Sequence, residues 1–378
     1  MNASGTNQPP DGTFLTNDAS RRTFLKGVGL AGAAGLAGAA GLTGPFPAST
    51  RASAATVPVI LGANAPGPWS PSQPQGTKPW PQAVPGALGC RSYRDTPFST
   101  GADCPTAFPG EQFSKPVASI RPDPAVLLNP NDSRYPALVQ AITDLIKDGA
   151  KKAVSGYFAA PPQLTVWHEA GHLYKASSDY AQYGLQPLDD GNGFPTNGAA
   201  AQRARSMHVK MKSLCDAVTG PGTSLPHVDY GCIIYGDMNK MANDNDLQGP
   251  TNWVPEAKYP MDWYGIDIYR TSDGPGTDCT HDDLTSYDKV NQVMGAFHAM
   301  VMNRSPLSSP HINVCECNAD IDTYRSQFFT DLAAWLHNND GRRMLTFWHD
   351  DPAPHGGPWS SAGAGTIQTL NNIVSLYP

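Results

Sequence analysis

From Val57 onward the chain alternates short β-like runs with long helix-like runs, and few architectures satisfy such an alternation. The apolar runs VPVILG (57–62), ALGCRSY (87–93), VASIR (117–121), QLTVW (163–167), YGCIIY (230–235), DWYGIDI (262–268), HINVC (311–315) and MLTFW (344–348) each read as a strand. Between the later runs lie segments whose apolar residues recur at helical spacing. The clearest spans 135 to about 152, with Pro136 near its start and Leu138, Val139, Ile142, Leu145 and Ile146 on one face. Further helices are predicted over 199–218, 286–303, 323–337 and 367–377. Eight strands, mostly with helical partners, predict an α/β protein built as a (β/α)8 TIM barrel. The first two units lack clear helices, and the Pro-rich stretch 66–85 reads as an elaborated loop after the first strand. An open doubly wound sheet is the other candidate. It would offer a Gly-rich phosphate loop after its first strand, and Gly62-Ala63-Asn64-Ala65 is not one.

Residues 1–54 read differently. Ser20-Arg21-Arg22-Thr23-Phe24-Leu25-Lys26 places two arginines before a stretch, 27–44, made mostly of Gly, Ala and Leu. That stretch is too short and Gly-rich for a comfortable membrane span. Ala52-Ser53-Ala54 fits a small-residue cleavage site. The run resembles the twin-arginine signal of bacterial export. The resemblance implies passage through the twin-arginine machinery as a folded protein, an extracellular location, and one working domain over 55–378. Cutting after Ala54 removes an excess of two positive charges, taking the net charge from −7 to −9. Such an acidic surface argues against nucleic acid or an anionic membrane as the partner. No later apolar run could span a bilayer, and the chain is expected to be a monomer. All seven cysteines follow the cut, where an oxidising compartment favours disulfides, and an odd number leaves at least one thiol free. Cys90 and Cys104 are the expected pair, because they close a short Pro/Gly-rich loop. Cys315-Glu316-Cys317 is a weak metal motif, and no metal or cofactor is expected.

Glutamate is scarce: of 33 acidic residues only Glu111, Glu169, Glu256 and Glu316 are Glu. Glu111 and Glu256 fall in predicted loops. Glu169 and Glu316 fall at the C-terminal ends of the fourth and seventh predicted strands, the rim where barrels carry their chemistry. Strands four and seven lie nearly opposite, so these carboxylates can face each other. Such a pair can cleave a glycosidic bond, one protonated to donate to the leaving oxygen and one ionised to attack the anomeric carbon. Trp167, Tyr269, Trp348 and Trp359 lie at or after strand ends, where an aromatic face could stack on a sugar. Arg121, at the end of strand three, either contacts the nucleophile or pairs with an Asp. Asp350 and Asp351 follow strand eight on the same rim, and His172 falls in the mouth or a plain loop. Asp267, Trp263 and Trp335 read as structural.

Trp167-His168-Glu169, Gly265-Ile266-Asp267-Ile268-Tyr269, Asn313-Val314-Cys315-Glu316 and Phe347-Trp348, in that strand order, resemble the clan A glycoside hydrolases. His-Glu at strand four is most similar to family 26, which includes endo-mannanases. The resemblance implies a retaining hydrolase of β-linked polysaccharide or oligosaccharide, mannan-like or related. It makes Glu169 the acid/base, Glu316 the nucleophile and Tyr269 the residue that orients it. Trp348 would floor the subsite of cleavage, and His168 would contact the sugar or position Glu169.

Two other readings compete. His168-Glu169-Ala170-Gly171-His172 is also an H-E-x-x-H run, which on a helix holds zinc in metalloproteases. No Glu occurs between Glu169 and Glu256 to serve as a third ligand, and Leu164-Thr165-Val166-Trp167 after two prolines reads as strand. A barrel that binds carbohydrate without cleaving it is the second alternative.

Overall fold

The computed structural model describes residues 59–64, 84, 89–94, 96–109, 115–158, 161–170, 178–185, 198–235, 250–270, 284–305, 311–319, 322–339, 343–347 and 364–377. The chain divides after Ala54 into two units; the first lies outside these residues, and all that follows concerns Ala55–Pro378.

Eight strands appear in the expected order: β1 Val59–Asn64, β2 Gly89–Tyr93, β3 Lys115–Ile120, β4 Gln163–Val166, β5 Asp229–Tyr235, β6 Trp263–Arg270, β7 His311–Ala319 and β8 Arg343–Phe347. Five long helices accompany them: α1 Tyr135–Val154, α2 Gly198–Thr219, α3 Tyr287–Arg304, α4 Asp322–Asn338 and α5 Ala364–Leu376. Every strand pairs in parallel with the next, and the backbone of β8 pairs with β1 from Val59↔Arg343 to Ala63↔Phe347. The result is a parallel α/β sheet curled on itself with helices outside. Between β1 and β3 the described residues hold one 3-10 turn, Gly101–Asp103, and no longer helix. Among the described residues no helix is long and apolar enough to cross a membrane.

Amphipathic spacing seats the helices. Leu138, Ile142, Leu145 and Ile146 of α1 are buried, as are Val290, Val293, Met294, Phe297 and Val301 of α3. Alternate residues of each strand then face the sheet interior. Its floor holds Lys115, Gln163 and Asn313, all buried, with Asn313 Nδ2 donating to Gln163 Oε1 at 2.9 Å. Above it Val117, Ile233, Trp263 and Cys315 pack as one apolar cluster. The Trp263 indole fills the space that a side chain at 231 would need, since a Cβ on Gly231 would lie 2.1 Å from the ring.

The expected Cys90–Cys104 disulfide is not formed. Cys104 is a free thiol buried in the main apolar cluster with Phe98 and Phe108, where burial pushes it up to about 12. The backbone of Cys90 belongs to β2, paired with Ala63 and Pro116.

Candidate active site

The upper layer of the interior is polar, and three strands build it. On β2, Arg91 and Tyr93 are two residues apart and share the inward face. On β6 the same period brings Asp267 and Tyr269 inward. On β7 it fails usefully. Val314 pairs with Ile266, but Glu316 rather than Cys315 pairs with Asp267, so one extra residue is inserted at this point. This bulge lets Cys315 and Glu316 both face inward, and it shifts the strand's parity above that level. Glu316 therefore stands within β7, not at its end as the sequence suggests.

Both oxygens of Glu316 are held. Oε1 accepts from the Tyr93 hydroxyl at 2.5 Å and lies 2.9 Å from Arg91 Nη1; Oε2 accepts from the Tyr269 hydroxyl at 2.5 Å. Arg91 is wholly buried and also pairs with Asp267, Nη1 to Oδ1 at 3.0 Å and Nη2 to Oδ2 at 3.5 Å. Its guanidinium sits 4.6 Å from the Tyr93 ring centre. Burial opposes the Arg91 charge, but Asp267, Tyr93 and Glu316 outweigh it and hold the proton on. Burial pushes the Tyr93 phenol well above 10, with Glu316 adding to the rise and Arg91 opposing it. Tyr269 is pushed up by burial and then by Glu316. Both phenols thus remain donors. Burial raises Asp267 well above the ordinary carboxylate range; Arg91 opposes this, and the charges of Glu316 and Glu169 add to it.

Glu169 arrives from the other side. Strand β4 stops at Val166, and the next residues leave strand geometry, with φ +41° at Trp167 and +55° at Glu169. Non-glycine residues in this region cost on the order of 1–3 kcal/mol each. Several bonds over-determine the turn. Trp167 N donates to Ile120 O at 3.0 Å and its indole to Pro122 O at 2.6 Å. Glu169 N donates to Ile233 O at 3.3 Å, and the His168 carbonyl accepts from Tyr180 at 2.5 Å. Glu169 is half-buried, and its charge raises both Asp267 and Tyr269, the groups around Glu316. His168 Nδ1 is 2.8 Å from Ser119 Oγ, and its ring meets Tyr93 edge-on at 5.0 Å.

The sequence-predicted residues separate accordingly. Glu316, Tyr269 and His168 are linked in one network through Tyr93, and Glu169 acts on that network through its charge. Trp167 is not a sugar platform: it is fully buried, its indole nitrogen is taken by Pro122, and its ring packs against Tyr180 and Tyr183. Arg121 turns to Asp179, 3.7 Å away, and lies over the Tyr180 ring at 5.2 Å. His172, Trp348, Asp350, Asp351 and Trp359 lie outside the described residues. The sequence reading missed Arg91, Tyr93 and Ser119, and gave Asp267 a purely structural role. The available signal was an Arg and a Tyr two apart in a short strand that ends at the rim.

The helical zinc motif has no basis in this backbone. A helix through His168–His172 needs φ near −63°, whereas Glu169 is at +55°. One other group among the described residues could hold a cation: Asp216, His227 and Asp262, near the start of β5 and β6. Lys212 already bonds Asp216 and lies 3.2 Å from Asp262, so those carboxylates are neutralised from within.

No protein-family model matches the sequence, and no curated protein matches it. Solved structures do. A glucosidase from Croceicoccus marinus is similar in fold, with a TM-score of 0.51 and 10% identity over 85% of this chain and 67% of that one. Two endo-β-1,4-mannanases also match: that of Cellulomonas fimi at TM-score 0.48 and 12% identity (84% and 70% covered), and that of Thermotoga petrophila at 0.47 and 8% (85% and 77%). At 10% identity the likeness to the glucosidase speaks to fold alone.

Proposed function

We propose that Ala55–Pro378 is a (β/α)8-barrel glycoside hydrolase that cleaves β-linked glycans, mannan or a relative, with retention at the anomeric carbon. The observation that carries this reading is the Glu316 carboxylate, held at both oxygens by three donors among the described residues, with Glu169 near enough for its charge to act on Asp267 and Tyr269 beside it. In the first step Glu316 attacks the anomeric carbon. Among the described residues Oε2 has one donor against two at Oε1, and it is the oxygen that attacks. The glycosidic bond breaks and its electron pair stays on the leaving oxygen, which takes the Glu169 proton. In the second step Glu169 removes a proton from water, the hydroxyl attacks the anomeric carbon, and the bond to Glu316 breaks. Arg91 and Tyr93 keep the other oxygen fixed through both steps. The similarity of fold to a glucosidase is consistent with this reading. Residues 1–54 are proposed to direct the folded, monomeric enzyme out of the cell and to be removed.

Glu316→Ala should lower hydrolysis by roughly three orders of magnitude or more, and azide should restore part of it as an inverted glycosyl azide. Glu169→Ala should spare activated aryl glycosides, with azide giving a retained product. If the two variants respond alike, or either degrades polysaccharide normally, the roles are wrong.

A further inference from the structure

The outer wall of the domain carries a polar groove that shares no residue with the carboxylate cluster. On α2, Gln202, Arg205, Ser206, Val209, Lys210 and Ser213 lie on one stripe, each three or four positions from a neighbour in the set. The groove takes in α2 from Gln202 to Ser213, roughly 16 Å of helix. The segment before β6, with Pro255, Glu256, Lys258 and Tyr259, forms the facing wall, and the space between is about 440 Å³.

The groove is positive in a chain of net charge −7. Arg205 Nη1 donates to the Asn252 carbonyl, and Lys210 Nζ to the Tyr135 hydroxyl at 2.5 Å. Both partners are neutral, so these bonds fix the cations in place without neutralising them, and the lining carries Arg205, Lys210 and Lys258 against the single carboxylate Glu256, whose pKa Lys258 and then Arg205 lower. Glu256, the one carboxylate in the lining, is already held by Lys258 at 2.7 Å. Tyr259 is 43% exposed, and the Lys258 ammonium lies 5.1 Å from its ring centre. An excess of two positive charges, two serine hydroxyls and an exposed ring suit an extended ligand that carries carboxylates, hydroxyls and an apolar face.

We propose that this groove binds an acidic oligosaccharide, with uronate carboxylates on Arg205 and Lys210, hydroxyls on Ser206 and Ser213, and a sugar face on Tyr259. The site is independent of the catalytic reading. Tetragalacturonate is the probe, titrated calorimetrically into the intact chain and into Glu316→Gln, with neutral tetramannose and inorganic phosphate as comparisons. The expected result is binding of tetragalacturonate alike in both proteins. It should weaken about tenfold in Arg205→Gln and in Lys210→Gln, each losing a charge-assisted bond. It should weaken further between about 50 and about 300 mM salt. Tyr259→Ala should weaken it as well, leaving any phosphate binding unchanged. Absence of binding overturns the proposal. Equal affinity for the neutral tetramer, displacement by phosphate at the same concentration, or indifference to both charge substitutions overturns it too.

Discussion

Glu316 is held by side chains from distant parts of the chain, and this decides what each substitution does. Tyr93 is 223 positions away in sequence and Tyr269 47. Removing the Tyr269 hydroxyl takes the lone donor from Oε2 while Arg91 and Tyr93 still grip Oε1. Tyr269→Phe should therefore lower kcat by about 10²–10³ with little change in KM, as loss of one preorganised donor does; steady-state kinetics on a soluble β-glycan check it. An unchanged kcat would mean that the phenol only packs. The two glutamates stood out in the sequence because glutamate is rare in this chain and both fall at the C-terminal ends of predicted strands, near the rim. Arg91 and Tyr93 were not. Their meaning lies in which face of β2 they occupy and in what stands across the interior, and register between strands is not written locally. Trp167 misled for a related reason: rim position implies an exposed ring only if the backbone continues as strand, and here it turns at φ +41°.

At the scale of elements, the bulge in β7 and the glycine beside it act together. A Cβ on Gly265 would stand 2.5 Å from Cys315 Sγ and 2.9 Å from Ile233 Cγ1. Gly265→Ala should cost about 1–3 kcal/mol of stability by overpacking. By displacing Glu316 it should also cost on the order of 10²-fold in turnover. Adding Cys315→Ala should return part of both, readable as coupling in thermal melts and kinetics. A second element-scale device closes the turn between α2 and β5. His227 Nδ1 faces the Thr219 carbonyl at 3.1 Å and Nε2 faces Asp262 Oδ2 at 3.0 Å. Both partners accept, so both nitrogens must donate and the ring is an imidazolium. The hydrogen bond that His227 donates to Asp262 raises the His227 pKa against the opposing effect of burial. A raised histidine stabilises the fold fully below its unfolded value of about 6.5 and loses that contribution as pH rises through the folded value. Wild type should thus lose on the order of 1 kcal/mol from pH 6 to 9 that His227→Gln does not lose, the half-exposed ring keeping the effect small. Parallel melting curves that do not converge at high pH would sink this. The strands and long helices were legible from periodicity to within a few residues. The bulge was not, because Cys315-Glu316 reads as ordinary alternation until β6 is laid beside it.

At the scale of the whole molecule, the α/β class and the strand order followed from alternation alone. The disulfide did not, because loop length says nothing about which layer each cysteine enters. Replacing Arg21 and Arg22 by Lys should hold the precursor inside the cell if the leader is read as a pair, and fractionation with immunoblotting checks it. Normal amounts outside would mean the leader is misassigned. Cys104, Cys215, Cys232, Cys315 and Cys317 are buried thiols outside any disulfide, and burial is the leading cause that raises the pKa of each. Thiolate is the reactive form, so the finished fold shields its own sulfur from oxidants. An unfolded chain has no such shield, and its thiols would be open to random bridging. If residues 1–54 carry the chain to an oxidising exterior, as proposed, this sets a timetable: the core has to close while the surroundings are still reducing, and the crossing has to come after.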